Sequence, residues 1–313
     1  MDETISMNLD RQNPLVSIGL PVYNGENRLR NTIESLLSQD YKNLELIISD
    51  NGSTDQTPDI CHVYANKDKR VRYYRQASNK GASWNFKNVF DLSTGEYFMW
   101  AGHHDFWRPD FIRICKEVLD ADRGVVLCYT EIHRIDEKGD MHEIAPEHHD
   151  TRGLSMAKRV GHIVGTVRNC DMIYGLFRAS VLKQCRLGLT CIGPDHVLLM
   201  EASLCGSIAE ISKPGFLRYE RKNTESGYIG IGQTLMRLDP NAANRKNIRP
   251  FWEWGLEHLY GIYESKIPAF KKSCLILIVA YAFWGRFSRL LLRELVHPYF
   301  KKGIGYEVKT PRY

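Results

Sequence analysis

Between residues 15 and 130 short apolar runs alternate with segments patterned like helices, and this alternation limits the fold more than any other feature of the chain. LVSIGLP (15–21) reads as a buried strand closed by Pro21, and after it Leu29, Ile33, Leu36 and Leu37 recur at helical spacing. NLELIISD (43–50) is a second strand. STDQTPDICHVYA then opens like a helix, with Ser53, Thr54 and Asp55 as candidate caps. VRYYRQ (71–76) is a third strand, SWNFKNVFDLSTG a helix up to Gly95, and EYFMWA a fourth strand. RPDFIRICKEVLD is a fourth helix and GVVLCY (124–129) a fifth strand. Short apolar strands alternating with helices predict an α/β fold, a Rossmann-like, mainly parallel sheet with helices on both faces. Such sheets bind ligands beyond the carboxyl ends of their strands. The places to search are therefore residues 21–24, 50–55, 76–81 and 102–105, all polar and rich in turn formers.

Beyond residue 131 the alternation fades. EIHRIDEKGDMHEIAPEHHDTRG is charged and His-rich and reads as loop. GPDHVLLMEASLCGSIAEI (193–211) reads as a helix starting at Pro194, then a strand. From about 250 the chain looks helical and rich in Trp and Tyr. The expected division is a polar N-terminal segment (1–14), a first half-domain (15–130), a second half of the same domain (131–245) and a helical, basic C-terminal extension (246–313).

With 43% hydrophobic and 25% charged residues the chain has the balance of a globular protein. A net charge of +5 is too small to suggest a nucleic-acid partner. The excess is concentrated at the end, where Lys271–Tyr313 holds nine Lys or Arg against two acids. None of the eight cysteines falls in a C-x-x-C pair, and most sit in apolar runs, which points to a reducing compartment. The polar N-terminus MDETISMNLDRQNP has no apolar stretch of the kind a signal peptide needs, so a cytoplasmic location is expected.

Several positions carry chemistry. Asp50 ends a strand before NGSTD, where its carboxylate suits a ribose or base, or equally a turn and helix cap. In YFMWAGHHDFWRPDF (97–111) a strand stops in His103, His104 and Asp105. Imidazole and carboxylate together can hold a divalent ion such as Mn²⁺, which would bridge two phosphates; the alternative is a solvated loop ahead of the helix near Pro109. Asp195 stands at a helix start, as a general base or as an N-cap. A second cluster, Glu147, His148, His149 and Asp150, reads as surface. Cys274–Trp284 is an unbroken apolar run of eleven residues, short of the ~20 that span a bilayer. Arg286, Arg289 and Arg293 follow on one helical face. The segment 271–302 is either a basic amphipathic helix lying on an anionic membrane surface or a helix packed on the core.

VSIGLPVYNGENRLRNTIESLLSQDYKNLELIISDNGSTDQT resembles the opening of the family 2 glycosyltransferases, which have the GT-A fold, and NKGASWNFKNVFDLSTGEYFMW resembles their next block. The likeness is strong over 15–130. It weakens beyond, where GLFRAS (175–180) and GPDHVLLMEASLCG look like acceptor-side blocks. The resemblance implies an inverting, metal-dependent transferase moving a sugar from a nucleotide-diphosphate donor to a hydroxyl of a carbohydrate or lipid-linked acceptor, in polysaccharide or glycoconjugate synthesis. By the same resemblance Pro21, Tyr23, Asn24 and Asp50 would hold the nucleotide base, Asn79, Gly81 and Asn85 the base and ribose, and Asp195 would deprotonate the acceptor. The His103-His104-Asp105 triplet stands where the family has D-x-D. Read to end at Asp105, the triplet has lost its first Asp to His103. Counted back from Pro109, the metal Asp is itself His104. The expected divalent ion (Mn²⁺ or Mg²⁺) falls to Asp105 with His104 beside it, and His103 lies near the ribose. Arg218 and Arg221 in FLRYERKN are candidate diphosphate or acceptor contacts, or plain surface charges. Two other classes compete: a non-catalytic nucleotide-sugar-binding relative with a degenerate D-x-D, and a nucleotidyltransferase, against which the absence of a Gly-rich basic loop after the first strand counts.

Overall fold

The computed structural model describes residues 13–136, 140–144, 148–219 and 230–296. Arg221, Glu147 and the basic tail beyond residue 296 lie outside the described residues. β1 (Val16–Val22) and β2 (Leu44–Asp50) are buried over their whole length, as strands covered on both faces must be. Helix α1 (Leu29–Leu37) connects them and buries Leu29, Ile33 and Leu36. Helix α2 (Thr57–Lys67) leads to β3 (Val71–Arg75), and α3 (Ala82–Asp91) to β4 (Tyr97–Trp100). These four strands lie in the order β3-β2-β1-β4, all parallel. A two-residue strand, β5 (Phe106–Trp107), and helix α4 (Phe111–Ala121) follow.

The rest of the sheet is mixed. β6 (Val125–Ile135) is followed by β7 (Met141–Ile144), α5 (Met156–Thr166), β8 (Leu176–Arg178), α6 (Ala179–Leu182), α7 (Pro194–Cys205) and β9 (Ser207–Tyr219). β8 sits between β4 and β6, antiparallel to both, while β9 runs parallel to β6. The segment read as a loop from residue 131 thus continues β6 to Ile135, and β7 pairs back on it. Its charged composition hides a strand because β9 supplies hydrogen bonds from Val125↔Ser207 to Ile135↔Tyr219, with Glu131 and Arg134 at half-exposed positions. The cluster read as surface is also divided. His148 and Asp150 are exposed, but His149 is buried with its Nδ1 3.2 Å from His162.

Helix α7 buries every residue from His196 to Leu204. Helices α8 (Ile231–Leu238), α9 (Pro250–Glu264) and α10 (Ala269–Val296) complete the described chain. α10 buries Leu275, Val279 and Phe283, and Ile278 and Ala282 lie over Gly161 and Gly165 of α5, where the missing side chains let the helices approach. The opposite face of α10 presents Phe270, Leu277, Tyr281 and Trp284 to solvent, Tyr281 at 82% exposure. By length and composition this helix is apolar enough to cross a membrane. Arg286 does not belong to a solvated basic face. It turns inward and donates to the Val164 carbonyl oxygen at 3.3 Å.

Candidate active site

A cavity of about 650 Å³ opens at the carboxyl ends of β1 and β4. One wall comes from the strand-end loops and α3: Pro21, Tyr23, Asn51, Asn79, Asn85, His103 and His104. The other comes from the segment after α5, the start of α7, helix α8 and α9, with Tyr174, Asp195, Arg237 and Trp254. The parallel sheet therefore delivers the first wall, as strand-end logic predicts, and the second half of the chain closes over it.

The candidate nucleotide residues divide into wall and scaffold. Tyr23 stands half open on the wall. Asn85 is buried on the wall; its Nδ2 donates to the Ser49 carbonyl at 2.9 Å, while its Oδ1 has no partner among the described residues. A buried acceptor without a donor is costly unless a ligand supplies one. Asn51, which the sequence reading passed over, donates to Asn79 Oδ1 at 2.9 Å and to the Gly81 carbonyl at 3.1 Å, binding two loops into one surface. Asp50 is fully buried behind that surface. Its carboxylate accepts from the Ser53 backbone N–H at 2.8 Å and the Tyr73 hydroxyl at 2.9 Å, with Arg75 3.5 Å away. Those bonds leave Asp50 shaping the loop and not lining the cavity. Asn24 adopts a left-handed φ of 50° and accepts from Thr54 N–H at 2.9 Å, a clasp of the same kind. Gly81 has φ 92° and ψ 157°, and a Cβ there would fall 2.3 Å from the Leu238 carbonyl oxygen. Its role is a close backbone approach that seats the end of α8 on the loop after β3.

His103 and His104 both reach the wall, their rings edge to face at 4.9 Å. Burial pushes His103 down to about 4, helped by His104. Burial also pushes His104 to about 4, with Arg218, Arg28 and Arg237 adding positive charge around it. Water in the open cavity reaches 40% of the His104 side chain and moderates that push. Both imidazoles are neutral at neutral pH. Asp105 is only 1% exposed and is not part of the wall. Its Oδ1 accepts from the Tyr219 backbone N–H at 3.0 Å, its Oδ2 has no partner among the described residues, and burial raises the carboxyl to about 7.

This donor set does not fit a divalent ion bridging two phosphates. Position 102 is a glycine, the strand-end wall offers two imidazoles and no carboxylate, Asp195 stands on the opposite wall, and Asp105 turns toward β9. No group of three His, Cys, Asp or Glu suited to a metal occurs among the described residues. Hard divalent ions that hold diphosphates want oxygen ligands.

Asp195 is the second residue of α7, after Pro194, and the helix is capped by Gly193 with no side-chain bond. The capping reading of Asp195 therefore fails, and its carboxylate has no hydrogen-bond partner among the described residues. The cavity's water reaches it although protein hems it in; burial raises it to about 6, against the pull of Arg237. Behind it lies a chain of buried polar contacts. His196 Nδ1 is 2.8 Å from His258 Nε2, His258 Nδ1 donates to the Trp254 carbonyl at 2.8 Å, and Arg286 approaches His196 Nε2 at 3.5 Å. Those contacts, from α9 and α10, fix the first turn of α7. Trp254 itself presses on Gly193, where a Cβ would lie 2.4 Å from the indole. Arg218, a candidate diphosphate or acceptor contact or a surface charge, is ion-paired with Asp171.

Arg237, Trp254 and Asn51 were missed in the sequence. Asn51 sits beside Asp50 in a turn that was searched. Arg237 and Trp254 belong to ordinary-looking amphipathic helices, and no strand-end rule leads to them.

The profile described as Glycosyl transferase family 2 matches residues 17–184, more than half of the 313-residue chain. An uncharacterized glycosyltransferase of Rickettsia typhi is 38% identical over 135 residues, 42% of this chain and 41% of that protein. Chondroitin synthase of Escherichia coli is 34% identical over 128 residues, 41% of this chain and 18% of that protein. The chain thus matches well under two thirds of the length of these relatives. Among solved structures, residues 1–349 of Staphylococcus aureus TarS in complex with UDP-GlcNAc superimpose with a TM-score of 0.63 at 16% identity, covering 90% of this chain and 79% of that one. The mannosyltransferase PcManGT of Pyrobaculum calidifontis, in complex with GDP-Man and Mn²⁺, gives 0.55 at 16% identity, covering 91% and 74%. At such identities the likeness is one of fold, and it agrees with the GT-A sheet expected from the sequence. On the strength of the matched profile, the chain belongs to glycosyl transferase family 2 and is an enzyme of that class.

Proposed function

We propose that this enzyme transfers a sugar from a nucleotide-diphosphate donor to an acceptor hydroxyl with inversion, and that Asp195 is its general base. The observation that carries this reading is the placement of Asp195, unpaired, across one cavity from Tyr23, Asn79 and Asn85. The acceptor O–H proton passes to the Asp195 carboxylate as the acceptor oxygen bonds to the anomeric carbon. The bond from that carbon to the donor phosphate breaks, and its electron pair leaves with the diphosphate. One base on the face opposite the leaving group suffices for inversion. A carboxyl raised to about 6 is mostly ionised at pH 7 yet more basic than an ordinary aspartate. Tyr23, Asn79 and Asn85 bind base and ribose, with His103 near the ribose, and Asp50, Asn24 and Gly81 hold the loops that carry them. TarS and PcManGT, solved with UDP-GlcNAc and GDP-Man, support a nucleotide sugar as donor. The acceptor is a carbohydrate or a lipid-linked glycan, met at the cytoplasmic face of a membrane on which the exposed face of α10 lies. The product belongs to polysaccharide or glycoconjugate synthesis.

The deciding experiment incubates the protein with UDP-, GDP-, dTDP- and CDP-sugars and measures release of the nucleoside diphosphate, for wild type and Asp195→Asn. Turnover by the wild type and loss of it in the variant, with nucleotide binding kept, supports the reading. Nucleotide binding without turnover of any donor favours a non-catalytic relative, the reading motivated by the altered D-x-D.

A further inference from the structure

The carboxylate nearest His104, Asp105 Oδ1 at 3.7 Å from its Nε2, is held by the Tyr219 backbone off the cavity wall, but the wall is not short of positive charge. Arg237 projects from α8 into the cavity and is largely exposed there, one turn from Thr234 on the same wall. Among the described residues it has no carboxylate partner. Its field reaches His104 on one side and Asp195 on the other. The Arg28 guanidinium carbon lies over the Tyr219 ring, 3.6 Å from its centroid, and its charge also reaches His104. The seat of α8 is firm, because the Gly81 backbone packs directly on the Leu238 carbonyl. A guanidinium so placed offers a planar fork of donors that matches phosphate oxygens.

We propose that Arg237 holds the donor's diphosphate and does so in place of a divalent ion. His104, on the same cavity wall, donates one further N–H to a phosphate oxygen. Resting on the donor-site reading above, this adds that the nucleotide site is metal-independent and that the charge of the departing diphosphate is met by protein cations. Fixed donors aimed at a developing charge serve the purpose a bridging cation would serve.

Calorimetry on the full chain tests this without any acceptor. UDP, GDP, dTDP and CDP, and the monophosphate matching the tightest of them, are titrated in EDTA and again with Mn²⁺. The expected result is that one diphosphate binds in EDTA as well as in Mn²⁺ and at least tenfold tighter than its monophosphate. Arg237→Gln, at an exposed position that does not threaten folding, should remove about that tenfold while leaving monophosphate affinity unchanged, and Arg237→Lys should keep part of it. A diphosphate advantage that vanishes in EDTA and returns with Mn²⁺ overturns the inference while leaving the donor-site reading intact. So does an Arg237→Gln variant that binds diphosphate like the wild type. If no nucleotide binds under either condition, the donor-site reading fails and takes this inference with it.

Discussion

Gly81→Ala tests the link between donor loop and α8 in one substitution. Gly81 has φ 92° and ψ 157°, a region essentially reserved for glycine. Holding another residue there costs ~1–3 kcal/mol. The added Cβ would lie 2.3 Å from the Leu238 carbonyl oxygen, 2.9 Å from its carbon and 2.9 Å from Pro240 Cδ. Two of these are backbone atoms, which cannot rotate away as a side chain can. Relieving the overlap by shifting α8 costs a further ~1–3 kcal/mol. Against this, alanine restricts the unfolded chain and returns ~0.4–1 kcal/mol. The net expectation is a loss of about 1–6 kcal/mol. Gly153→Ala is an internal control, since Gly153 also has a positive φ, 74°, but a Cβ there meets nothing within 4 Å. With the same unfolded-chain offset it should cost about 0–1.6 kcal/mol. The assay is urea unfolding followed by tryptophan fluorescence, with midpoints compared at equal slope. Because the shift displaces Arg237, Gly81→Ala should also weaken diphosphate binding, which Gly153→Ala should not. Equal midpoints for the two variants would refute both the overlap and the role assigned to Gly81.

Asp195→Asn should lower transfer by about 10²–10⁴-fold; in the wild type the rate should rise with pH through about 6, because the base acts only when ionised. A variant keeping a tenth of the activity would remove Asp195 from the chemistry. His258 is held down to about 4 by burial, below its unfolded value of 6.5, so its contribution to stability is full above pH 6.5 and is lost as pH falls toward 4. Between pH 7 and 5 the wild type should lose about 2 kcal/mol more than His258→Asn, and parallel profiles from urea midpoints would contradict this. The comparison with a variant is needed because the raised carboxyls of Asp105 and Asp195 shift stability in the opposite sense over the same range. Flotation with anionic liposomes at low salt should carry the protein, and a Leu277→Glu/Tyr281→Glu variant should bind about tenfold less; a wild type that stays at the bottom of the gradient would reject the membrane surface.

The sequence by itself determined the first half of the sheet. β1 to β4 were legible because each is a short apolar run bounded by turn residues, and local composition is enough where a strand is buried on both faces. That legibility extended to the strand-end loops, and so to Tyr23, Asn79 and the His pair, since a parallel sheet gathers those ends on one edge whatever follows; Asn85, on α3, came only from the family resemblance. Asp195 was legible as a carboxylate at a helix start, but only α9, through His258 and Trp254, and α10, through Arg286, decide that it faces the cavity unpaired. The extension of β6 through EIHRI was invisible because its hydrogen-bond partner, β9, lies about eighty residues further along and nothing local requires it. The triplet His103-His104-Asp105 held its ambiguity for the same kind of reason. Adjacent residues in a turn point in different directions, and the backbone of Tyr219, far along the chain, is what takes Asp105 away from the cavity while His104 remains on it. Arg237 marks the limit of sequence reading: an arginine on an amphipathic helix has no meaning until packing against Gly81 places it opposite the donor loops.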